Sequence, residues 1–223
     1  PSESMSKSKK NTIDPEKIIK IYGADAVRLF ILSDSPPEKD VQWSESGMNS
    51  SFKFVQKFWL MSEDTIKLTK TKKDSFNKEL EIFTNQSISK INFALDKFRY
   101  NVIIAVFHEI YSFFKKVLDE NKNYENLDVN LKKILIVISP VLPHLASECL
   151  DKINKNSIDI KWPKINQEYL NKEETIVVIQ VNGKKRSSIN IKEEIDEKNL
   201  FDKIKKMQLI EKYIKNKKII KTI

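Results

Sequence analysis

Residues 44–61 read SESGMNSSFKFVQKFWLM, and the apolar side chains in this stretch recur with the period of an α-helix. Four of them lie three or four positions apart and so share one helix face: Met48, Phe52, Val55 and Trp59. An apolar face of this length stabilises a fold only when other helices cover it. The stretch therefore predicts the first long helix of a helical bundle.

Three further helices are predicted downstream of a polar, lysine-rich break at 67–75, because helical apolar spacing resumes there. They cover about 76–98, 101–121 and 128–153. Pro140 and Pro143 are expected to kink or split the last one, since proline lacks the N–H group that a helix interior uses. Residues 44–153 are thus predicted to form an antiparallel bundle of about four helices.

The segment ahead of the bundle, residues 1–43, is predicted to hold a basic loop and two short helices. Residues 1–13 are polar and basic, which is typical of a loop. Asp14 is expected to cap a helix that has proline at its first position, and Gly23 to end that helix. Asp25 is expected to cap the second helix.

The periodicity changes in the C-terminal part of the chain. Residues 154–174 are predicted to be a linker. Two strands are predicted at Thr175–Val181 and Arg186–Ile191, joined by the hairpin turn Asn182-Gly183. A charged helix at about 196–216 and the start of a third strand at 218–223 follow. The predicted fold is mainly α, with a small α+β domain at residues 175–223 that is expected to be truncated.

The charge of the chain indicates an anionic partner. The 223 residues include 40 Lys and Arg against 31 Asp and Glu, a net charge of +9, and the isoelectric point is about 9.3. This charge balance favours nucleic acid ahead of a membrane surface as the partner. No run of about eighteen apolar residues, the length that a membrane span needs, is present. An alternative is that part of this charge is compositional background, since lysine supplies nearly all of it.

The single cysteine, Cys149, allows no internal disulfide, and we expect a reducing cytoplasmic setting. His108 and His144 have no cysteine or carboxylate at ligand spacing, so no metal site is expected in this chain. The chain starts at Pro1 and ends in the middle of a strand-like pattern at Ile223. We therefore expect a fragment of a longer protein.

The aromatic side chains of the bundle recur at helical spacing. We expect them to be core residues rather than a platform for stacking bases. They are Phe52, Phe54, Phe58, Trp59, Phe107, Tyr111, Phe113 and Phe114.

The stretch Ser4-Met5-Ser6-Lys7-Ser8 resembles the second signature motif of class I aminoacyl-tRNA synthetases, Lys-Met-Ser-Lys-Ser. The residues that accompany that motif follow here in the same order: Asn11, Asp14-Pro15, Tyr22-Gly23-Ala24-Asp25 and Arg28-Leu29. Five residues alone would be a weak signal, because a solvated Lys/Ser linker has the same composition. The extended string makes the resemblance specific.

Within class I, the chain is most similar to the leucyl enzymes of bacterial type. The stretches that carry this likeness are SPPEKDVQWSESG at 35–47, SPVLPHLASECL at 139–150, WP at 162–163 and VVIQVNGKKR at 177–186. Two positions depart from the motif, with Ser4 in place of its first lysine and Lys10 in place of a glycine. The other class I signature, His-x-Gly-His, is absent, and the nucleotide-binding sheet and the editing insertion of the family would lie upstream.

The resemblance implies activation of leucine by ATP and transfer of the leucyl group to leucine tRNA. The ATP-binding loop would be Ser4, Met5, Ser6, Lys7 and Ser8, with Lys7 as the catalytic cation that stabilises the leaving pyrophosphate. Mg²⁺ would accompany the ATP. The missing catalytic domain would supply most of the site for ATP and leucine, so this piece alone is expected to be inactive. We also expect it to be a monomer.

The resemblance also implies that the helical bundle and the C-terminal domain contact tRNA. The basic side chains that we expect to meet its phosphates are Lys184, Lys185, Arg186, Lys205, Lys206 and Lys215. The alternative for these residues is a solvated helix face. Two alternatives for the whole chain also stay open: a stand-alone tRNA-binding module without catalysis, and the same region of a valyl or isoleucyl enzyme.

Overall fold

The computed structural model describes residues 3–34, 39–153, 160–170, 175–182, 184–191, 197–205, 207, 210, 212 and 213. The chain divides into two compact units, Pro1–Tyr169 and Leu170–Ile223. The first unit contains α1 (Pro15–Tyr22), α2 (Ala24–Asp34), α3 (Glu45–Leu68), α4 (Lys78–Asp96), α5 (Tyr100–Asp119), α6 (Leu127–Ile138) and α7 (Pro143–Ile153). The second contains β1 (Thr175–Val181), β2 (Lys184–Ile191) and α8 (Glu197–Lys205). The predicted mainly helical fold is confirmed.

The core of the first unit lies between α3, α4, α5, α6 and α7, with α2 packed against α3 and α5. Phe58, Phe107 and Phe114 are fully buried in it, as expected for core aromatics. Phe113 stacks on Phe83 at its edge, with ring centroids 4.0 Å apart.

The long helix predicted at 128–153 is two helices, because α6 ends at Ile138 and α7 begins at Pro143. Pro143 is the first residue of α7, the helical position where a missing N–H costs least. The two prolines therefore split the predicted helix rather than kink it, and they create a corner at residues 139–142.

Local capping sets the starts of three helices. The side chain of Asp14 accepts a hydrogen bond from the Glu16 N–H, as predicted, and Gly23 ends α1 with φ +82°. Ser44 caps α3 and Asn77 caps α4 in the same manner. These side chains satisfy N–H groups that the first turn of a helix leaves unpaired.

A buried polar network joins α4 to α6 around Glu81. Its carboxylate accepts hydrogen bonds from Lys133 at 2.7 Å, Asn130 at 2.7 Å and Asn126 at 3.1 Å. Burial alone would raise the pKa of Glu81, but these hydrogen bonds outweigh it and hold the pKa below its ordinary value.

The α3–α4 loop and the α5–α6 loop are joined by hydrogen bonds to Asn123. Its side-chain amide donates to the carbonyls of Thr69 and Thr71, and its backbone N–H donates to Asp74. The Asp74 N–H in turn donates to the Asn123 carbonyl at 2.7 Å. These bonds fix the α3–α4 connection against the α5–α6 connection.

In the second unit, β1 and β2 pair antiparallel, and Val181 lies opposite Lys184. The predicted hairpin is confirmed, although β2 begins at Lys184 rather than Arg186. The register shifts between Ile179 and Gln180, whose partners are Ser187 and Lys185. Arg186 is the additional residue of this β-bulge.

The helix predicted at 196–216 is observed in part as α8, Glu197–Lys205, and most of residues 206–216 lie outside the described residues. The third strand predicted at 218–223 lies outside the described residues. Of the described helices, none is long and apolar enough to cross a membrane.

Candidate signature loop and nucleic-acid interface

The residues of the predicted ATP-binding loop form a compact turn just ahead of α1. The Lys9 N–H donates to the Ser6 carbonyl and the Lys10 N–H to the Lys7 carbonyl, each at 3.2 Å. The hydroxyl groups of Ser6 and Ser8 lie 3.2 Å apart. The loop is therefore held by its own backbone and side chains.

Asn11 closes this turn from its C-terminal side. Its Oδ1 accepts from the Ser6 N–H at 2.8 Å, and its Nδ2 donates to the Ser4 carbonyl at 3.3 Å. Because its side chain binds two backbone groups near the start of the loop, Asn11 ties the end of the loop to its beginning.

Lys10 has φ +54°, in the left-handed region. This is the position at which the resembling motif has glycine, and glycine adopts that conformation without the steric cost that a Cβ atom adds. The structure thus gives a physical reason for the family's glycine, and the lysine at this position puts strain into the turn.

Lys7 and Met5 extend from the turn into solvent. Met5 is 48% exposed and Lys7 is also exposed. Lys9 pairs with Glu3, whereas Lys7 forms no ion pair with any residue that the structure describes. The charge of Lys7 is therefore available to an external anion.

Two short helices connect the loop to the bundle, and a small apolar cluster anchors the second of them. Ala26 and Phe30 of α2 pack with Met48 of α3 in this cluster. The ring of Tyr22, at the end of α1, meets Phe52 edge-on at a centroid distance of 5.7 Å. None of the residues of α1 itself is buried.

Asp25 binds the N-terminus of α7, not that of α2, so the prediction that it caps its own helix is wrong. α2 begins at Ala24, which puts Asp25 inside its first turn. The Asp25 carboxylate accepts from the Leu145 N–H at 2.7 Å and the His144 N–H at 3.3 Å. The His144 Nδ1 atom lies 2.8 Å from the same carboxylate.

Arg28, one turn further along α2, binds the other side of the same corner. Its Nη2 donates to the Pro140 carbonyl at 2.6 Å and its Nε to the Val141 carbonyl at 3.1 Å. We call Asp25 and Arg28 the α2 clasp. The anion faces the N-terminus of α7 and the cation faces the carbonyls that follow α6, so each charge matches the local helix dipole.

A cleft of about 760 Å³ opens beside the clasp, between the α1–α2 turn, α3 and α7. Trp59 and Leu60 form part of its wall, and Leu60 is 60% exposed. Lys152 covers the face of the Trp59 ring at 4.3 Å and binds Glu63 at 2.8 Å, which raises the pKa of Lys152. The cleft could not be predicted from the sequence, because its lining residues come from three separate segments of the chain.

The predicted RNA-contacting residues of the second unit differ in their surroundings. Lys184 and Lys185 are exposed beside the hairpin turn. The guanidinium of Arg186 lies over the Tyr213 ring at 4.4 Å. Lys205 lies over the Phe201 ring at 4.3 Å. Lys206 and Lys215 are outside the described residues.

The histidines and the cysteine occupy structural positions. Within the described ranges, no group of three or more His, Cys, Asp and Glu side chains is arranged to hold a metal ion. His108 packs on the Phe54 ring at 4.0 Å, and burial lowers the pKa of His108. Cys149 is fully buried, as expected of a small core residue, and burial raises its pKa to about 11.

Comparison with known families agrees with the helical bundle and the loop. Residues 77–201 match the family described as the anticodon-binding domain of tRNA ligase. This match covers more than half of the chain, and the chain belongs to that family. Residues 2–44 match the family described as tRNA synthetases class I (I, L, M and V), which confirms the resemblance predicted from the motif.

The curated relatives narrow this class to the leucyl members. The leucine–tRNA ligase of Prochlorococcus marinus strain MIT 9312 is 36% identical over 99% of this chain, and that of Fusobacterium nucleatum is 30% identical over 99%. The chain spans 26% and 28% of the length of these two relatives. The predicted likeness to leucyl-tRNA synthetases is confirmed.

A solved structure supports the fold. The LeuRS of Agrobacterium radiobacter K84, in a ternary complex with tRNA and LeuAMS, superposes with a TM-score of 0.70. The match covers 97% of this chain and 29% of that chain, at 20% sequence identity. At this identity the likeness concerns the fold alone.

Proposed function

We propose that this chain is the signature-loop and tRNA-binding part of a leucine–tRNA ligase, which activates leucine with ATP and transfers it to leucine tRNA. The observation that carries the proposal is the folded loop at Ser4–Ser8, joined through α1 and α2 to a bundle of the anticodon-binding family. The identity to leucine–tRNA ligases along nearly the whole chain supports the choice of amino acid.

In the first step, the leucine carboxylate attacks the α-phosphorus of ATP and the bond to the bridging oxygen breaks, so pyrophosphate leaves with the bonding electrons. Negative charge grows on the pyrophosphate as this bond breaks. Lys7 would stabilise that charge, because its ammonium group is exposed and unpaired among the described residues. The hydroxyl groups of Ser6 and Ser8 would donate further hydrogen bonds to phosphate oxygens.

Mg²⁺ would be carried by the ATP phosphates and by residues outside this chain. The described residues offer no cluster of carboxylates that fits the ion, so no step is assigned to a metal held here. The rest of the ATP and leucine site would likewise be supplied by the catalytic domain of the whole enzyme.

For tRNA, we propose backbone-directed contacts from the bundle and from the second unit. Lys184 and Lys185 are the described cations best placed for phosphates, since both are exposed. Arg186 and Lys205 keep their charges but are held over aromatic rings, and Lys205 also pairs with Asp202 at 3.9 Å, so both would reach a phosphate less readily. Lys206 and Lys215 remain in the proposal on their sequence alone. Contacts of this type weaken as salt rises.

The division of labour that we propose assigns residues 1–43 to the catalytic region, 44–153 to the tRNA-binding bundle, 154–174 to a linker and 175–223 to the C-terminal domain. Residues 160–169 of this linker belong to the first unit, where Trp162 and Asn166 form hydrogen bonds with α4. We infer a monomeric enzyme in the cytoplasm, a reducing setting that suits a chain with Cys149 as its single cysteine.

The first experiment measures leucine-dependent ATP–pyrophosphate exchange by the full-length protein that carries this segment. Lys7→Ala should lower kcat about 10²-fold or more, as expected for loss of a positioned charge. Lys9→Ala is the matched control in the same loop, since Lys9 is paired with Glu3, and it should change kcat less than about threefold. An equal effect of the two variants would remove the special role of Lys7.

A second experiment measures binding of the 223-residue chain to leucine, valine and isoleucine tRNAs at low and moderate salt. Preference for leucine tRNA that survives moderate salt would support the leucyl assignment. Equal binding that salt abolishes would indicate only a basic surface. Binding without any exchange activity in the full-length protein would favour the stand-alone tRNA-binding module.

A further inference from the structure

We propose that the α2 clasp, Asp25 and Arg28, consists of positioning residues that hold the signature loop at a fixed place relative to the tRNA-binding bundle. The catalytic effect of Lys7 would then depend on two side chains that touch neither ATP nor tRNA. The inference rests on the proposed function, because it assigns Lys7 its role in leucine activation.

The loop has little attachment of its own. It precedes α1 directly, and α1 buries none of its residues. Only Gly23 separates α1 from α2, so the placement of α2 determines where α1 and the loop lie. Ile18 and Tyr22 of α1 are half-buried against the apolar cluster that α2 forms with α3, and the Tyr22 ring meets Phe52 edge-on.

α2 is fixed to α7 by charge-assisted hydrogen bonds as well as by apolar packing. Asp25 is 6% exposed and binds two N–H groups of the first turn of α7. Arg28 binds two carbonyls of the preceding corner. Hydrogen bonds that involve a charged group are shorter and stronger than neutral ones, and they have a defined geometry.

The N-terminus of α7 could have been capped locally, as α1, α3 and α4 are by Asp14, Ser44 and Asn77. The residue before Pro143 is instead Leu142, which has no polar side chain. The cap comes from Asp25, 119 positions earlier in the chain. Stability alone needs only a local cap, whereas this arrangement couples the helix that follows the loop to the bundle.

The test is a double-mutant cycle in the full-length protein, with kcat of leucine-dependent ATP–pyrophosphate exchange as the readout. The variants are Arg28→Ala, Lys7→Ala and the pair. If the clasp acts by placing Lys7, Arg28→Ala should lower kcat about tenfold when Lys7 is present and less than about twofold when it is replaced. A purely structural loss would lower kcat by the same factor in both backgrounds, and that result would overturn the proposal.

Ser44→Ala is the matched control, because it removes the cap of α3 without touching the clasp. At equal loss of thermal stability it should leave kcat within about twofold of the wild-type value. A drop in kcat equal to that of Arg28→Ala would also contradict the proposal.

Asp25→Asn is the second variant in case Arg28→Ala folds poorly. It keeps an acceptor oxygen for the α7 N–H groups and removes the charge, so we expect a smaller decrease in kcat of about threefold, again only when Lys7 is present. An equal decrease in both backgrounds would overturn the proposal by this route as well. Failure of the proposed function would look different: the wild-type protein would show no leucine-dependent exchange, or Lys7→Ala would have no effect.

Discussion

Glu81 and Lys133 join α4 to α6 through a 2.7 Å ion pair between two mostly buried side chains. The same carboxylate accepts hydrogen bonds from two buried asparagines, Asn126 and Asn130. A buried carboxylate is costly unless it is paired and hydrogen-bonded, and here both conditions are met. The network therefore fixes the packing of these two helices as long as Glu81 is ionised.

The first prediction concerns Glu81→Gln and acid. Because the folded-state pKa of Glu81 lies below 4.5, its contribution to stability is present above pH 4.5 and is lost as pH falls through the folded value. The variant should unfold with a free energy about 2–3 kcal/mol lower at pH 7, and the difference should shrink below pH 4.5. Urea unfolding of the chain from pH 3 to pH 7 measures this.

Glu79→Gln is the control on the same helix. Glu79 pairs with Lys116 at 3.8 Å, and both side chains are exposed, so its loss should change the free energy of unfolding by less than about 0.5 kcal/mol at any pH. A difference for Glu81→Gln that stays constant from pH 3 to pH 7 would contradict the assigned pKa direction.

The second prediction is that Lys10→Gly tightens the signature loop. Removing a side chain at φ +54° relieves about 1 kcal/mol of strain, which should slow hydrogen exchange of the Lys9 and Lys10 amides about fivefold. Lys9→Gly, at a position without positive φ, should speed exchange of the Lys10 amide instead. Equal effects of the two substitutions would show that strain at Lys10 is unimportant.

The third prediction concerns the contact of Gly47 with Phe30. A Cβ atom at Gly47 would lie 2.8 Å from Cε2 of Phe30, so Gly47→Ala should displace the ring and destabilise the fold by about 1–3 kcal/mol. Replacing Gly47 and Phe30 together, with Ala and Leu, should restore part of this loss. Urea unfolding measures the stability of the single and the double variant. If the double variant is no more stable than Gly47→Ala, the loss does not come from the contact with Phe30.

The fourth prediction is that the thiol of Cys149 does not react while the chain is folded. Its pKa of about 11 leaves roughly one thiol in a thousand ionised at pH 8, and the side chain is fully buried. Ellman's reagent should label the folded chain far more slowly than the same chain in guanidinium chloride. Rapid labelling without denaturant would mean that α7 opens readily.

Elements with local causes could be predicted from the sequence. The helical spacing of Met48, Phe52 and Val55 predicts α3, although Phe52 and Val55 are half-buried and the fully buried side of the helix runs through Phe54 and Phe58. The Asn182-Gly183 pair predicts a hairpin, and β1 and β2 do pair antiparallel. Each depends on residues within a few positions of one another. Tertiary packing leaves both of these elements, α3 and the hairpin, in place.

Features that depend on distant residues could not be predicted. Asp25 reads as a local helix cap until the fold brings α7 to it. Nothing in the order of residues shows that Arg186 lies in a bulge over Tyr213. The motif identified the signature loop from the sequence. Only the tertiary structure shows that Asp25 and Arg28 attach the helix following this loop to the bundle.

The α2 clasp also bears on how such enzymes can evolve by recombination. Residues 2–44 and 77–201 match two different families. A recombination crossover between these ranges would interrupt neither matched segment. Such an exchange would bring in a foreign corner at 139–142 and leave the resident Asp25 and Arg28 facing it. Active chimaeras should therefore take α2 and α7 from the same parent. The segment that must be exchanged as one piece is thus longer than either of the two matched ranges.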